Sequence, residues 1–156
     1  MKKLASNTVL CVQPLPQTIV SCRDKDGKNN ALVVGFVANV SLDPVMVMVG
    51  ITPTRYSHHI VKESGCFVIN FPKKSYKKEY GYLGSASGRD EDKISKVGFH
   101  VVKTDEEQPT FEEGKMVFVC KKLMETQLNP EEFIDPEVDG RWYPQKDYHH
   151  MYTAEG

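Results

Sequence analysis

The residue types that could do chemistry in this chain are concentrated near its middle, beginning with a short cationic motif. Arg55, Tyr56 and Ser57 place a guanidinium, an aromatic ring and a hydroxyl side by side, directly before a segment with helical character. A guanidinium, a hydroxyl and the backbone amides at the start of a helix are the donors that a phosphate group accepts. Taken alone, however, these three residues more often form the start of a helix at the protein surface, with Ser57 as its N-cap.

A second group of candidate donors follows about thirty residues later, in a loop of small residues. Ser85, Ser87 and Gly88 offer hydroxyl and amide donors, and small side chains let a ligand approach the backbone closely. Lys93 could add a second positive charge, although a lysine at an exposed helix start is usually solvated. Alone, such a loop is more often a flexible connection, so its interpretation depends on what the fold places beside it.

Two histidine pairs offer imidazoles, but their spacing does not favour a metal site. His58 and His59, like His149 and His150, are adjacent in sequence. Adjacent side chains point to opposite faces of a strand and diverge by about 100° on a helix, so neither pair forms a two-ligand motif. We therefore predict no metal.

The cysteines are scattered among apolar neighbours without Cys-x-x-Cys spacing. They are Cys11, Cys22, Cys66 and Cys120. This pattern favours reduced thiols packed as small hydrophobic side chains over a redox or metal role.

Length and charge predict one ordinary domain, spanning residues 1–156. A chain of 156 residues with 40% hydrophobic content can bury roughly two-thirds of its unfolded surface in one core. The 20 basic and 21 acidic side chains are mixed, giving a net charge of −1, which argues against a nucleic-acid or membrane partner. The first seven residues lack the apolar run of a signal peptide and no stretch approaches the ~20 residues of a membrane span, so we expect a cytoplasmic protein.

The elements that must position these groups have mostly the periodicity of strands. Predicted strands cover residues 18–22, 31–36, 45–51, 66–71, 116–126 and 148–153. Turn chemistry separates the first two at 23–30, a polar interruption follows at 39–44, and short helices are predicted at 57–65, 73–83 and 93–98. Residues 129–146 are expected to form an irregular excursion. We therefore predict a mainly β, antiparallel barrel with a few short helices.

The apolar segment Val45–Ile51 is hydrophobic at almost every position. An uninterrupted run of this length is typical of a strand that is covered on both faces. The barrel interior would cover one face, and either a helix or a second subunit would cover the other.

The order of these motifs resembles the flavin reductase-like family of FMN-binding split barrels, which includes flavoredoxin. In that family an aspartyl-glycine hairpin precedes an asparagine and an apolar strand, as Asp26, Gly27 and Asn30 do here. The Arg-Tyr-Ser motif is followed by a strand of the form Gly-x-Phe-x-x-Asn, which matches Gly65 through Asn70.

The later motifs of the family also occur, and in the same order. A Ser-Gly-Arg loop followed by Asp-Lys matches Ser87, Gly88 and Arg89 with Asp92 and Lys93. An Asp-x-His motif near the last strand, formed by residues 147–149, completes the series. The resemblance therefore extends over most of the chain.

The resemblance implies a Greek-key FMN-binding split β-barrel with FMN as its cofactor. The cofactor-binding residues that it implies are Val37, Ala38, Asn39, Val40, Arg55, Tyr56, Ser57, Asn70, Ser85, Ser87, Gly88 and Lys93. The first four would present backbone amides to the isoalloxazine ring, and the Arg-Tyr-Ser and Ser-Gly groups would bind the phosphate. His149 is the candidate catalytic residue, which we expect to orient the flavin or a nicotinamide rather than to titrate.

The resemblance also implies an activity and partners. The leading hypothesis is an oxidoreductase that takes hydride from NADH or NADPH and reduces flavin, ferric iron or another acceptor. Because the chain lacks a Gly-x-Gly-x-x-Gly fingerprint, the nucleotide would lie over the exposed flavin face of a homodimer. The alternative is a flavoredoxin-like electron carrier that a redox protein reduces, docking near residues 73–78. A split barrel for another ligand, or a scaffold, is a third hypothesis.

The chain departs from the family pattern at several points. Phe36 stands where many relatives have tryptophan, and Val45 where many have a second proline. Gly156 ends the chain where the family usually continues, so we expect a partner to supply an edge or the barrel to close less completely. Trp142 and Tyr143 could cover the flavin or fill a neighbouring crevice.

Overall fold

The computed structural model describes residues 17–155. Its strands are β1 (Thr18–Arg23), β2 (Asn29–Val34), β3 (Val37–Leu42), β4 (Val45–Ile51), β5 (Cys66–Pro72), β6 (Val101–Lys103), β7 (Pro109–Phe111), β8 (Gly114–Gln127) and β9 (His150–Glu155). Its helices are α1 (Ser57–Glu63), α2 (Lys77–Ser85), α3 (Lys93–Val97) and α4 (Glu137–Trp142), with single 3₁₀ turns at Lys74–Tyr76 and Pro130–Glu132. The excursion predicted at 129–146 thus contains α4 and one of these turns.

Seven strands form one antiparallel sheet in the order β2-β1-β5-β8-β9-β4-β3. The sheet curls on itself, since β2 also contacts β4 across its open side. One apolar cluster collects inward-facing side chains from β1, β2, β4, β5, β8 and β9 together with α1, which requires a closed cross-section. The prediction of a mainly β, antiparallel barrel is confirmed.

The hairpin between β1 and β2 forms at the polar tract where turn chemistry predicts it. The Asp24 carboxylate accepts the backbone amides of Asp26 and Lys28, at 3.0 and 2.8 Å. Gly27 has φ +84°, a conformation in the left-handed region that favours glycine. This turn fixes the register that pairs Cys22 with Asn30.

The two faces of β1 and β2 are buried in different ways. Val20 and Leu32 point into the barrel core. On the outer face, Ile19 and Ala31 pack against Leu83 of α2 in a second cluster that also takes in α3 and β7. Burial of one such side chain is worth about 1.5–3 kcal/mol, so this second cluster holds α2, α3 and the loop between them firmly against β2.

The polar interruption predicted at 39–44 is wrong, because most of this segment is strand β3. The strand pairs antiparallel with β4, and its register shifts between Asn39 and Ser41. In this edge strand Ala38, Asn39 and Val40 are all exposed, so their side chains do not need to be apolar. The polar residues that suggest a loop are therefore compatible with a strand here.

Burial on both faces is found for only part of β4. Val49 and Ile51 face the core, and Gly50 on the opposite face is also buried, but Met46 is half-buried and Val45 is 60% exposed. Within residues 17–155, the strand is therefore least covered at its first residue, Val45.

The described cysteines are free thiols. Burial raises the pKa of Cys22 and of Cys120 to about 12, and it also raises the pKa of half-buried Cys66. All three are therefore protonated at neutral pH, which makes them poor nucleophiles and poor metal ligands. Cys11 and the first seven residues lie outside the described part of the chain.

Between residues 17 and 155, no helix is long and apolar enough to cross a membrane.

Candidate functional site

A cavity of about 290 Å³ opens beside the barrel, where α1, β2 and the loop after α2 meet. Its walls come from residues 54–57 at the start of α1, from residues 30, 32 and 33 of β2, from residues 83–89, and from Lys93. Both motif groups that the sequence singles out therefore contribute to one cavity, although about thirty residues separate them in sequence.

Cationic side chains surround the mouth of this cavity. Arg55 is exposed in the turn before α1, where its carbonyl accepts the His58 amide at 2.9 Å. The Tyr56 ring has Lys28 Nζ 5.4 Å and Arg89 Cζ 5.7 Å from its centroid, distances at which a cation interacts with a ring face. Lys28 Nζ also donates to the Gly88 carbonyl at 2.9 Å, which ties the two walls together.

The structure gives Ser57 a different local role from the predicted helix cap. Tyr56 occupies the cap position without a side-chain hydrogen bond, and Ser57 is the first residue of α1. The helix ends at Glu63 with Ser64 as its C-cap, before Gly65. The Ser57 hydroxyl oxygen accepts instead from Asn30 Nδ2 at 2.6 Å, in a position only 1% exposed.

Ser85, the last residue of α2, and Ser87, in the loop after it, differ in what their hydroxyls can still do. Ser85 Oγ donates to the Gly81 carbonyl at 2.9 Å, so its hydrogen is already used within α2. Ser87 Oγ accepts the Arg89 amide at 3.2 Å, which leaves its own hydrogen for another acceptor. Ser87 is therefore the better placed of the two to donate to a ligand.

Gly88 marks the closest approach between the two walls. A Cβ at this position would collide with Asn30 Oδ1 and would lie 2.8 Å from Tyr56 Cδ1. Because glycine has no side chain, the loop backbone can lie directly against Asn30 and Tyr56.

Lys93 is not the solvated helix-start lysine that its sequence position suggests. It is only 5% exposed, and its Nζ donates to the carbonyls of Leu83 at 2.8 Å and Ala86 at 3.0 Å. These carbonyls belong to the end of α2 and the loop after it, so the ammonium satisfies helix-end acceptors. Burial, reinforced by the charge of Arg55, lowers the pKa of Lys93 to about 8.

Asn70 of β5 lies outside the cavity and is buried where β5 meets β1 and β7. Its Nδ2 donates to Ile19 O at 3.0 Å and Ser21 Oγ at 2.8 Å, and its Oδ1 accepts from Thr110 Oγ1 at 2.8 Å. These bonds join β5 to β1 and β7, so this geometry does not place Asn70 at a ligand-binding surface.

The remaining predicted residues lie on neighbouring surfaces rather than in the cavity walls. Val37, Ala38, Asn39 and Val40 form the edge strand β3. His149 sits beside Phe36, with ring centroids 5.2 Å apart, and its Nδ1 is 2.8 Å from a tyrosine hydroxyl. Burial lowers the pKa of His149, so the imidazole is neutral at pH 7.

That tyrosine is Tyr143, which packs against Tyr148 and Phe133 as well as His149. Trp142 points outward, with the Arg141 guanidinium 5.4 Å from its ring. Of the two roles left open for this pair, the geometry of Tyr143 favours filling the crevice.

Asn30 is a residue of the cavity wall that the sequence motifs do not mark as ligand-binding. The signal was present, because Asn30 is a polar residue on the face of β2 that otherwise buries Leu32 and Val34. A buried polar side chain needs a partner, and here the partner is Ser57, 27 residues away in the chain.

The donor set of the cavity suits an anion. Arg55, Lys93 and the hydroxyls of Ser57 and Ser87 can all donate toward one ligand, and Leu32 provides an apolar patch of wall. No group of three or more His, Cys, Asp or Glu side chains in the described part of the chain is arranged to hold a metal ion. The arrangement therefore favours binding and positioning of a phosphorylated ligand.

Comparison with known proteins places this geometry in context. Residues 13–151 match the family model described as flavin reductase like domain. An uncharacterised protein of Archaeoglobus fulgidus is 28% identical over 112 residues, which cover 71% of this chain and 63% of that protein. Escherichia coli YddH is 26% identical over 121 residues, covering 78% and 62%. The chain thus spans a little under two thirds of the length of these curated relatives.

Solved structures share the fold over nearly the whole chain. The flavoredoxin of Methanosarcina acetivorans superimposes with a TM-score of 0.73 at 25% identity, covering 99% of this chain and 73% of that one. The flavoredoxin of Desulfovibrio vulgaris (Miyazaki F) gives a TM-score of 0.75 at 22% identity with the same coverage. The split-barrel fold implied by the sequence resemblance is confirmed, and the chain belongs to the family of flavin reductase like domains.

Proposed function

We propose that this chain is an FMN-binding oxidoreductase that takes hydride from NADH or NADPH and passes electrons to flavin, ferric iron or another acceptor. The observation that supports this most directly is the cavity in which Arg55, Ser57, Ser87 and Lys93 converge. Its donors match the phosphate group that distinguishes FMN from riboflavin.

The cavity suits the phosphate end of FMN in both charge and size. A phosphate monoester carries a charge of roughly −1.5 to −2 at neutral pH, which Arg55 and Lys93 can balance. Pockets that bury a whole ligand measure roughly 300–1,000 Å³, and this cavity of about 290 Å³ lies just below that range. The phosphate and its neighbouring atoms would fill it, and the ring would extend beyond.

The isoalloxazine is proposed to lie along β3. Within residues 17–155, β3 is the edge strand of the sheet, so it has backbone donors and acceptors that no described strand pairs, and these can bond the polar edge of the ring. The small side chains of Ala38 and Asn39 would allow the ring to approach closely. FMN itself supplies the hydride-accepting chemistry, so the protein needs only to position it. Neutral His149 would orient the ring or the nicotinamide.

Anaerobic titration of the FMN-loaded protein with NADH and with NADPH tests this activity. Bleaching of the bound flavin by either nucleotide supports the proposal. A bound flavin that stays oxidised at saturating concentrations of both nucleotides contradicts it.

A flavoredoxin-like electron carrier is the second candidate, and a surface feature favours it. Lys73, Lys74, Lys77 and Lys78 are all exposed, and none forms an ion pair within residues 17–155. Such a patch could dock an acidic redox protein. Charge reversal at Lys74 and Lys77 should then slow reduction by that protein and weaken its salt dependence, whereas unchanged turnover would contradict docking there.

We also propose that the uncovered end of β4 is a homodimer interface. Leu42 of β3 is 88% exposed, and its register partner Val45 of β4 is 60% exposed. Exposed apolar side chains paired across two neighbouring strands are typical of a surface that a second subunit covers.

The dimer prediction can be checked by light scattering after size-exclusion chromatography. We expect Val45→Glu to convert a dimer into monomers, because a buried carboxylate without a partner is costly at an interface. Ile134→Glu, on a fully exposed residue of the 129–146 segment, is the matched control and should remain dimeric. A monomeric wild-type protein would contradict the proposal.

The lowered pKa of Lys93 predicts how FMN affinity depends on pH. In the unliganded protein the ammonium loses its proton near pH 8, and a phosphate beside it would raise that pKa. FMN binding then takes up a proton above pH 8, so affinity falls as pH rises, by about fivefold between pH 8 and 9 and by up to about tenfold for each further pH unit.

Flavin fluorescence titrations at several pH values measure this dependence. Riboflavin, which has no phosphate, should show no such step, and Lys93→Met should abolish the step for FMN. An identical pH profile for FMN and riboflavin would contradict a role for the Lys93 charge.

A further inference from the structure

Asn30 links the two walls of the cavity, although it contributes no charge. It lies on β2, is 2% exposed, and donates from Nδ2 to the Ser57 hydroxyl oxygen at 2.6 Å. Its Oδ1 faces Gly88 so closely that a Cβ there would collide with it. One amide therefore contacts both phosphate-binding groups proposed above.

We propose that Asn30 is a positioning residue that makes the site selective for phosphorylated flavin, by fixing the direction in which Ser57 donates and the depth of the Gly88 loop. This inference rests on the proposed FMN site and adds to it the residue that orients its donors.

The direction of the Ser57 hydroxyl follows from hydrogen-bond chemistry. A hydroxyl has one hydrogen to donate, and the lone pair that faces Asn30 is occupied by the amide hydrogen. The Ser57 hydrogen must therefore point elsewhere, and Ser57 lines the cavity. A phosphate oxygen there is a strong, charged acceptor, so a bound phosphate takes this hydrogen.

The chemical identity of the amide matters for this role. An aspartate at position 30 would have the same shape but could only accept, so Ser57 would donate to it and turn away from the ligand. Its negative charge would also repel the phosphate. If Asn30 only filled space between β2 and the loop, Asn30→Asp would affect FMN binding far less, because the two side chains have the same shape.

The oxygen side of Asn30 sets the position of the loop. The Gly88 backbone lies against Asn30 Oδ1 and the Tyr56 ring, and these two groups limit how closely the loop approaches β2. The neighbouring Ser87 keeps a hydroxyl hydrogen that it can donate to the ligand. Asn30 therefore positions Ser57 and Ser87, which come from different parts of the chain, toward the same anion.

The test uses the 156-residue chain and compares FMN with riboflavin by fluorescence titration at neutral pH. We expect Asn30→Asp to weaken FMN binding on the order of 100-fold and Asn30→Ala about tenfold, with riboflavin affinity within about threefold of wild type for both. Asn29→Asp is the matched control, because Asn29 is the adjacent, less buried residue of the same strand, and we expect no change. Melting temperatures identify any variant that does not fold, in which case Asn30→Ala decides.

The outcomes separate this inference from the function on which it rests. If wild-type protein binds neither flavin, the proposed function and the inference both fail. If wild-type protein prefers FMN strongly but Asn30→Ala keeps that preference, the proposed function stands and the inference is overturned. Equal losses for FMN and riboflavin also overturn it, because they would show that Asn30 only supports the fold.

Discussion

Replacing Arg55 with glutamine is expected to weaken FMN binding about 100-fold and to leave riboflavin binding within about threefold of wild type. Arg55 is exposed at the mouth of the cavity. The other two cations there, Lys28 and Arg89, lie against the Tyr56 ring and donate to backbone carbonyls. A guanidinium can make two parallel hydrogen bonds to a phosphate, and an amide cannot replace them.

Isothermal titration calorimetry with both flavins measures this difference. Arg141→Gln is the matched control, because Arg141 is an exposed arginine whose guanidinium stacks on Trp142 in the 129–146 segment. The control should bind FMN as wild type does. Equal affinity of Arg55→Gln and wild type for FMN would show that Arg55 does not bind the phosphate.

Adding one methyl group at Gly88 is expected to have an effect of similar size on FMN binding. In Gly88→Ala the new Cβ would collide with Asn30 Oδ1 and crowd the Tyr56 ring. The loop must then move away from β2 and α1, which withdraws Ser87 from the ligand. We expect an approximately 100-fold loss of FMN affinity and a loss of about 1–3 kcal/mol in the free energy of unfolding.

Gly81→Ala provides the control for this substitution. Gly81 lies in α2, where a Cβ would have nothing within 4 Å, and alanine is the better helix former by about 0.5–1 kcal/mol. This variant should bind FMN normally and melt at the same or a higher temperature in thermal denaturation. Normal FMN binding by Gly88→Ala would mean that the close approach of the loop to Asn30 and Tyr56 is not needed for FMN binding.

The long strands could be predicted because their hydrophobic pattern is dictated by the core. Residues of β1 and β5 have apolar or β-branched side chains at the positions that the barrel buries, whereas β8 buries only Cys120 there. By contrast, β6 and β7 have three residues each, and Val101 and Val102 are exposed, so no periodicity marks them. The edge strand β3 escaped prediction for a related reason, because its exposed side chains are under no requirement to be apolar.

The types of the site residues could be predicted, but their environments could not. Arg55, Ser57, Ser87 and Gly88 stand in a recognisable order, and the fold brings them to one cavity. The burial of Lys93 depends on carbonyls at Leu83 and Ala86 that become available only when α2 ends where it does.

The contribution of Asn30 was equally hidden, because it arises from a long-range contact. Ser57 and Gly88 lie far from Asn30 in the chain, and only the packing of α1 and the 84–89 loop against β2 brings them together. Sequence spacing has no signal for such a contact beyond the presence of a polar residue on an otherwise apolar strand face.

Titration of the wild-type chain with FMN and with riboflavin shows whether the cavity binds the phosphate of FMN. The proposed site predicts one FMN per chain, bound about 100-fold or more tightly than riboflavin, because only FMN engages Arg55, Ser57 and Lys93. Equal affinity for the two flavins, or no binding of FMN, would contradict it.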